Sequence, residues 1–177
     1  AVAEAAGQLG IQTPNVLAFT RVMIHMGETT NLSAEEAATS LARFSNIMGT
    51  SQGDMDRLGS AIVGLGNNYA TTEGEIVAMS MRLAGAGKQA KLSEGDVLGL
   101  ATAMSSVGIE AEAGGTAMSL TMKRIAKEVE MGGDQLGLFA QVAGMSSQEF
   151  SKAWKTDAAG ALAVFVEGLA NTEKLGM

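Results

Sequence analysis

The sequence predicts an all-α fold, a compact multi-helix bundle of short capped helices, and three observations predict it. The 177 residues include one proline, and no segment alternates β-branched with polar residues as a half-buried strand requires. Apolar residues recur instead at steps of three and four almost throughout. Cap residues and glycines then punctuate those stripes at helix-length intervals, giving helices of roughly 10 to 18 residues.

The elements follow in order. Thr13 caps the first, with Pro14 at the first helical position, where a missing N–H costs nothing. Gly27 ends it, because glycine enters the left-handed conformation of a C-terminal cap without penalty. Ser33 and Glu36 have the spacing of a capping box, in which the glutamate reaches back to the N–H of the cap residue. The stripe Ala37, Leu41, Phe44 and Met48 follows, closed by Gly49. Thr72 with Glu75 opens the next stripe, Ile76, Met79 and Leu83, which Gly87 ends. Ser93 with Asp96 is a shorter-armed box before Val97, Ala101, Met104 and Val107, closed by Gly108. Met118, Met122, Ile125 and Val129 continue the pattern. After Gly144, Ser146 with Glu149 opens another helix, and Ala158, Leu162, Phe165 and Leu169 form the last stripe. Each helix has one face to hide, so the helices pack on one another.

A weak internal repeat relates Thr13–Gly49 to Thr72–Gly108. Each half reads as a Thr-capped helix, a loop ending in Leu-Ser (Leu32–Ser33, Leu92–Ser93) and a second helix stopped by glycine. Two copies are too few for a solenoid, so the expectation is a duplicated helical hairpin. Residues 1–177 are expected to form one α-helical domain, with sub-units 1–108 and 109–177. The chain opens at Ala1 without an initiator Met or a signal pattern and stops at Leu175–Gly176–Met177; it reads as an excerpt of something longer.

Composition narrows the chemistry. There is no cysteine, so disulfides, thiolate metal sites and cysteine nucleophiles are excluded. A net charge of −7 argues against a nucleic-acid surface, which needs clustered cations facing phosphates. The basic groups Lys123–Arg124–Lys127 and Lys152–Lys155 have acidic neighbours and read as solvated helix faces. The uncharged run Leu58 to Thr72 is broken by Gly, Asn, Ser and Thr, and no stretch reaches the length of a membrane span.

No candidate catalytic, cofactor-binding or metal site emerges, and the residues of a binding surface are not identified. His25 is the single histidine and has no second imidazole or thiolate with which to share a metal. Asp54/Asp56, Glu73/Glu75 and Glu110/Glu112 are carboxylate pairs two residues apart, a spacing that turns the partners to different helix faces. They fall near helix starts, where negative charge offsets the dipole. Ala84–Gly85–Ala86–Gly87–Lys88 has the look of a phosphate loop's end, but Arg82 and Gln89 stand where Gly and Ser or Thr are required. Gly64–Leu65–Gly66–Asn67–Asn68–Tyr69 lacks the third glycine of a dinucleotide fingerprint. With no second histidine or lysine partner, no serine reads as a nucleophile.

Glycine is the anomaly. The chain has 23, and Gly59, Gly64, Gly74, Gly95 and Gly99 fall inside helices or first turns, at up to about 1 kcal/mol each relative to Ala at an interior position. Close helix packing is one account; a marginal stability useful to a protein that later unfolds is the other. The 12 methionines read as core filler, with adaptable surface contacts as the second reading.

Several strings resemble the N-terminal core region of tail tape-measure proteins of long-tailed phages and prophages. They include Asn31-Leu32-Ser33-Ala34-Glu35-Glu36-Ala37-Ala38, Asp56-Arg57-Leu58-Gly59-Ser60-Ala61-Ile62-Val63 and Arg82-Leu83-Ala84-Gly85-Ala86-Gly87. A longer match runs from Ser105 to Met118, its most specific part being Ile109-Glu110-Ala111-Glu112-Ala113-Gly114-Gly115-Thr116-Ala117, and the likeness extends to Phe165-Val166-Glu167-Gly168-Leu169. Gly74, Gly95 and Gly99 depart from the bulkier helix formers expected there. The resemblance implies a structural assembly protein, not an enzyme, that sets tail length, nucleates tube polymerisation and leaves the virion with the DNA. It implies tail tube subunits, tail assembly chaperones and tail tip or baseplate proteins as partners, self-association in the tail, and no cofactor. It places the protein in the virion tail, and in the host cytoplasm during assembly. A cell-wall hydrolase-associated domain and a generic helical protein-binding module are the rival readings.

Overall fold

Four Ser or Thr residues each satisfy the free N–H groups of a helix start in the computed structural model of the chain, which describes residues 2–169. The Ser33 hydroxyl accepts from the Glu36 N–H at 3.2 Å while the Glu36 carboxylate accepts from the Ser33 N–H at 2.8 Å. The same reciprocal pair forms at Thr72 with Glu75, Ser93 with Asp96 and Ser146 with Glu149. The chain ends, including Leu175–Gly176–Met177, lie outside the described residues.

Among the described residues there are ten α-helices and no strand: α1 (Val2–Gln8), α2 (Val16–Thr29), α3 (Ala34–Met48), α4 (Met55–Asn68), α5 (Glu73–Gln89), α6 (Glu94–Ser106), α7 (Thr116–Met131), α8 (Leu136–Val142), α9 (Ser147–Thr156) and α10 (Ala158–Leu169). Two 3-10 turns, Thr13–Asn15 and Gln52–Asp54, precede α2 and α4, and a π turn, Ala111–Gly115, leads into α7. The expected repeat is visible as two helix pairs, α2/α3 and α5/α6. Each pair is joined through Leu-Ser and followed by a left-handed glycine, Gly49 at φ 79° and Gly108 at φ 78°.

Several expectations need correcting. Thr13 is not a cap: it begins a 3-10 turn, and no side chain caps that turn. A distant residue supplies the missing partner, since the Gln52 side-chain oxygen accepts from the Gln12 N–H at 2.7 Å and its amide donates to the Gly10 carbonyl at 2.9 Å. Gly27 and Gly87 lie within α2 and α5 and stop neither helix. Both permit close approach instead. A Cβ at Gly27 would lie 2.8 Å from the Ala34 backbone nitrogen, and one at Gly87 would lie 2.7 Å from a Val97 methyl. The left-handed residue after α5 is Lys91, at φ 62°. Val107 and Leu169 close their stripes exposed, Val107 because α6 has ended at Ser106.

Helix α5 lies at the centre, packed against α3, α4, α6, α7 and the π turn. Its Ile76, Met79, Leu83 and Ala84 are fully buried. The hairpins are tied across their ends, where Lys88 Nζ donates to the Met48 carbonyl at the C-terminus of α3, a position that favours a cation. The chain then crosses α5 as the π turn and α7. Gly115 sits where a Cβ would come within 2.7 Å of Arg82 Cβ, and the Ser119 hydroxyl donates to the Arg82 carbonyl at 2.6 Å. Helices α8, α9 and α10 complete the fold, with Phe139 edge-on to Phe165. Gly168 fits against α8 because any side chain there would strike the Val142 carbonyl.

Candidate functional site

The residues that invited a chemical reading do not converge. His25 is exposed on α2. Glu75 is occupied by its capping box, while Glu73 is buried over α4, its carboxyl carbon standing where a Gly66 Cβ would be. Asp54 and Asp56 flank the start of α4. Arg57 reaches Asp54 at 3.8 Å and Glu94 at 3.7 Å, and Arg82 reaches Glu112 at 3.9 Å. Gly85 and Gly87 are helical, and Lys88 spends its charge on the α3 carbonyl terminus. The Gly64–Tyr69 segment is the end of α4. No group of three or more His, Asp or Glu among the described residues could hold a metal ion.

Among the described residues three carboxylates are held below the ordinary value of 4.5, each by its helix cap. Glu36 is held down by the Ser33 hydroxyl and then its N–H. In Glu75 and Glu149 the cap residue's N–H is the larger cause, at Thr72 and Ser146, and its hydroxyl the smaller.

The feature that stands out is a surface groove of about 630 Å³ between α6 and α10. Gly95, Gly99, Leu100 and Met104 line it from α6 and Leu162 and Val166 from α10. Asp96 and Glu167 are the charged side chains among its described lining residues. A surface helix normally hides one face, but α6 and α10 are apolar on the face toward α5 or α8 and on the face toward the groove. Periodicity counted only the inward stripe, which is why the outward one was missed. Ile109 and Met118, on either side of the π turn, also line this groove. A π turn is rare and often marks a functional segment, and here it carries the most specific string of the sequence.

Fold and groove together define a helical domain whose distinctive features are surfaces and close packing. The family described as phage-related minor tail protein matches residues 1–175. The chain belongs to that family, and its role is that of a structural component of a phage tail. Neither a curated protein nor a solved structure matches it. No helix among the described residues is long and apolar enough to cross a membrane.

Proposed function

We propose that this chain is part of a tail's tape-measure protein and acts as a compact attachment or folding module at one end of the ruler. The observation that carries this reading is the family match over residues 1–175, joined to helices that among the described residues are no longer than the 17 residues of α5. A ruler lengthens by about 1.5 Å per helical residue, and a chain that stops and turns this often measures little. Its helices pack against each other, so the unit 1–177 works as one domain, with 1–108 and 109–177 folding together.

In this role the module nucleates tube polymerisation in the host cytoplasm and is carried in the assembled virion tail. It binds tail tube subunits, tail assembly chaperones and tail tip or baseplate proteins, and associates with copies of itself. It performs no reaction and takes no cofactor, and cleared zones in a cell-wall zymogram would overturn that part. Electron microscopy of particles carrying an in-frame deletion of residues 34–106 tests the main claim. Tails are expected to be missing or aberrant; intact tails shortened in proportion to the residues lost would contradict it. If the module leaves with the DNA it must also unfold readily, and a melting temperature above about 90 °C, the hyperstable range, is incompatible with that.

A further inference from the structure

We propose that the groove between α6 and α10 receives an amphipathic helix of a different protein, which takes the place that the first half of α5 fills one repeat earlier. The identity of the partner rests on the attachment reading, while the binding itself is read in solution, apart from tail assembly.

The helices α2 to α10 repeat one three-helix plan. In α2–α3–α4 and in α5–α6–α7 the first helix packs on the second and third, and the third also packs on the first two helices of the following unit. Helices α8, α9 and α10 are a third copy. Its first joint matches that of α5 and α6 bond for bond: the N–H groups of Ala90, Lys91 and Leu92 donate to the carbonyls of Ala86, Lys88 and Gly87, and those of Ala143, Gly144 and Met145 to Phe139, Gln141 and Ala140. Lys91 at φ 62° and Gly144 at φ 68° are the left-handed residues. The boxes Ser93/Asp96 and Ser146/Glu149 follow them.

The third copy is cut short at its first helix. Aligned on the joint, α8 starts at the place of Leu83, so residues 73–82 of α5 have no helical counterpart ahead of it. Those residues are what covers α3. Val77 and Ser80 face Ser40, Leu41 and Phe44 across a small interior gap, and the Gly74 N–H donates to the Asn31 side chain ahead of α3 at 2.9 Å. Helix α5 therefore packs on α3, whereas α8 has no comparable packing on α6. Counted from the Leu-Ser that precedes each helix, Leu100 and Met104 stand in the places of Ser40 and Phe44, and both line the groove.

The adjoining positions differ in the same sense. Where α3 carries Glu35, Thr39 and Arg43, α6 carries Gly95, Gly99 and Ala103. A face that meets water carries polar side chains; these small ones admit a helix instead. A Cβ at Gly99 would meet nothing within 4 Å, so packing inside the chain does not require glycine there. About ten residues of helix measure about 15 Å, within the roughly 20 Å of α6 at 1.5 Å per residue. The occupant has the chemistry of residues 73–82, apolar along one side as at Ile76, Val77 and Met79, with a small hydroxyl as at Ser80. Each described helix already packs in a unit of its own chain or against α2 and α3, so the occupant comes from another molecule.

A lactam-bridged peptide with the sequence of residues 72–82 tests the fit, the bridge holding a helix too short to be stable alone. Fluorescence anisotropy against the full 177-residue chain should show saturable binding. Gly99→Leu fills the groove from a position with open space, and Ala103→Glu places a charge at an exposed position on it; each should weaken binding at least tenfold, with circular dichroism showing the chain folded. Arg43→Leu, in the first unit, should leave binding unchanged. No saturation at millimolar chain, or equal binding by both groove variants, would overturn the proposal. A photo-crosslinking residue at position 103 in assembled tails then tests the source. The expected adduct maps by mass spectrometry to a helical segment of a different protein with that apolar side; no adduct, or adducts confined to this chain or a second copy of it, would contradict a foreign occupant.

Discussion

A glycine in a helix has opposite consequences depending on what its missing side chain would meet. At Gly27 a Cβ would approach the Ala34 backbone nitrogen to 2.8 Å, and backbone cannot step aside as a side-chain tip can. At Gly64, inside α4, a Cβ would meet nothing within 4 Å. Urea denaturation should therefore show Gly64→Ala stabilising by up to about 1 kcal/mol through helix propensity and Gly27→Ala destabilising despite the same propensity gain. Equal signs at the two positions would show that packing is not what keeps Gly27. Part of the glycine excess thus has two origins, close approach at Gly27, Gly87, Gly115 and Gly168 and left-handed turns at Gly49, Gly108 and Gly144, while Gly64, Gly85 and Gly99 fit neither. Gly10 and Gly132 also have positive φ; Gly132 caps α7 just past the stripe that ends at Val129, whereas Gly10 follows no stripe read from the sequence.

At the scale of the element, legibility followed locality. The four reciprocal caps are three-residue motifs, and all four are present. Thr13 failed because the groups that settle its turn come from Gln52, about forty positions away. Helices α1 and α8, seven residues each, are too short to present a full stripe. The start of α10 was missed as well, where Asp157 Oδ1 accepts from the Gly160 N–H at 2.9 Å. The capping glutamates set the acid response of the elements they open. Glu36, Glu75 and Glu149 have folded values below 4.5, so their stabilisation is complete above the unfolded value and is lost as pH falls through the depressed folded values. Thermal melts across that acid range should show the triple variant Glu36→Gln/Glu75→Gln/Glu149→Gln losing less stability on acidification than wild type. Parallel curves would mean that other carboxylates govern the response.

For the whole molecule, the all-α class and the buried stripes were legible because burial on one face is what produces a helical period. The α6/α10 groove was not, since it is made by two helices distant in sequence, each with a second apolar face. The family match over residues 1–175 gives the chain a structural role in a phage tail, and the account's central claim is that this role depends on the fold and not on the length of chain. Leu83 separates the two. It is fully buried in α5, and a carboxylate there costs several kcal/mol, comparable to the whole stability of a domain, while the number of residues is unchanged. The decisive measurement is the tail-length distribution, by electron microscopy, of particles carrying Leu83→Asp. The account predicts that tails fail to form; normal tails of unchanged length would contradict it.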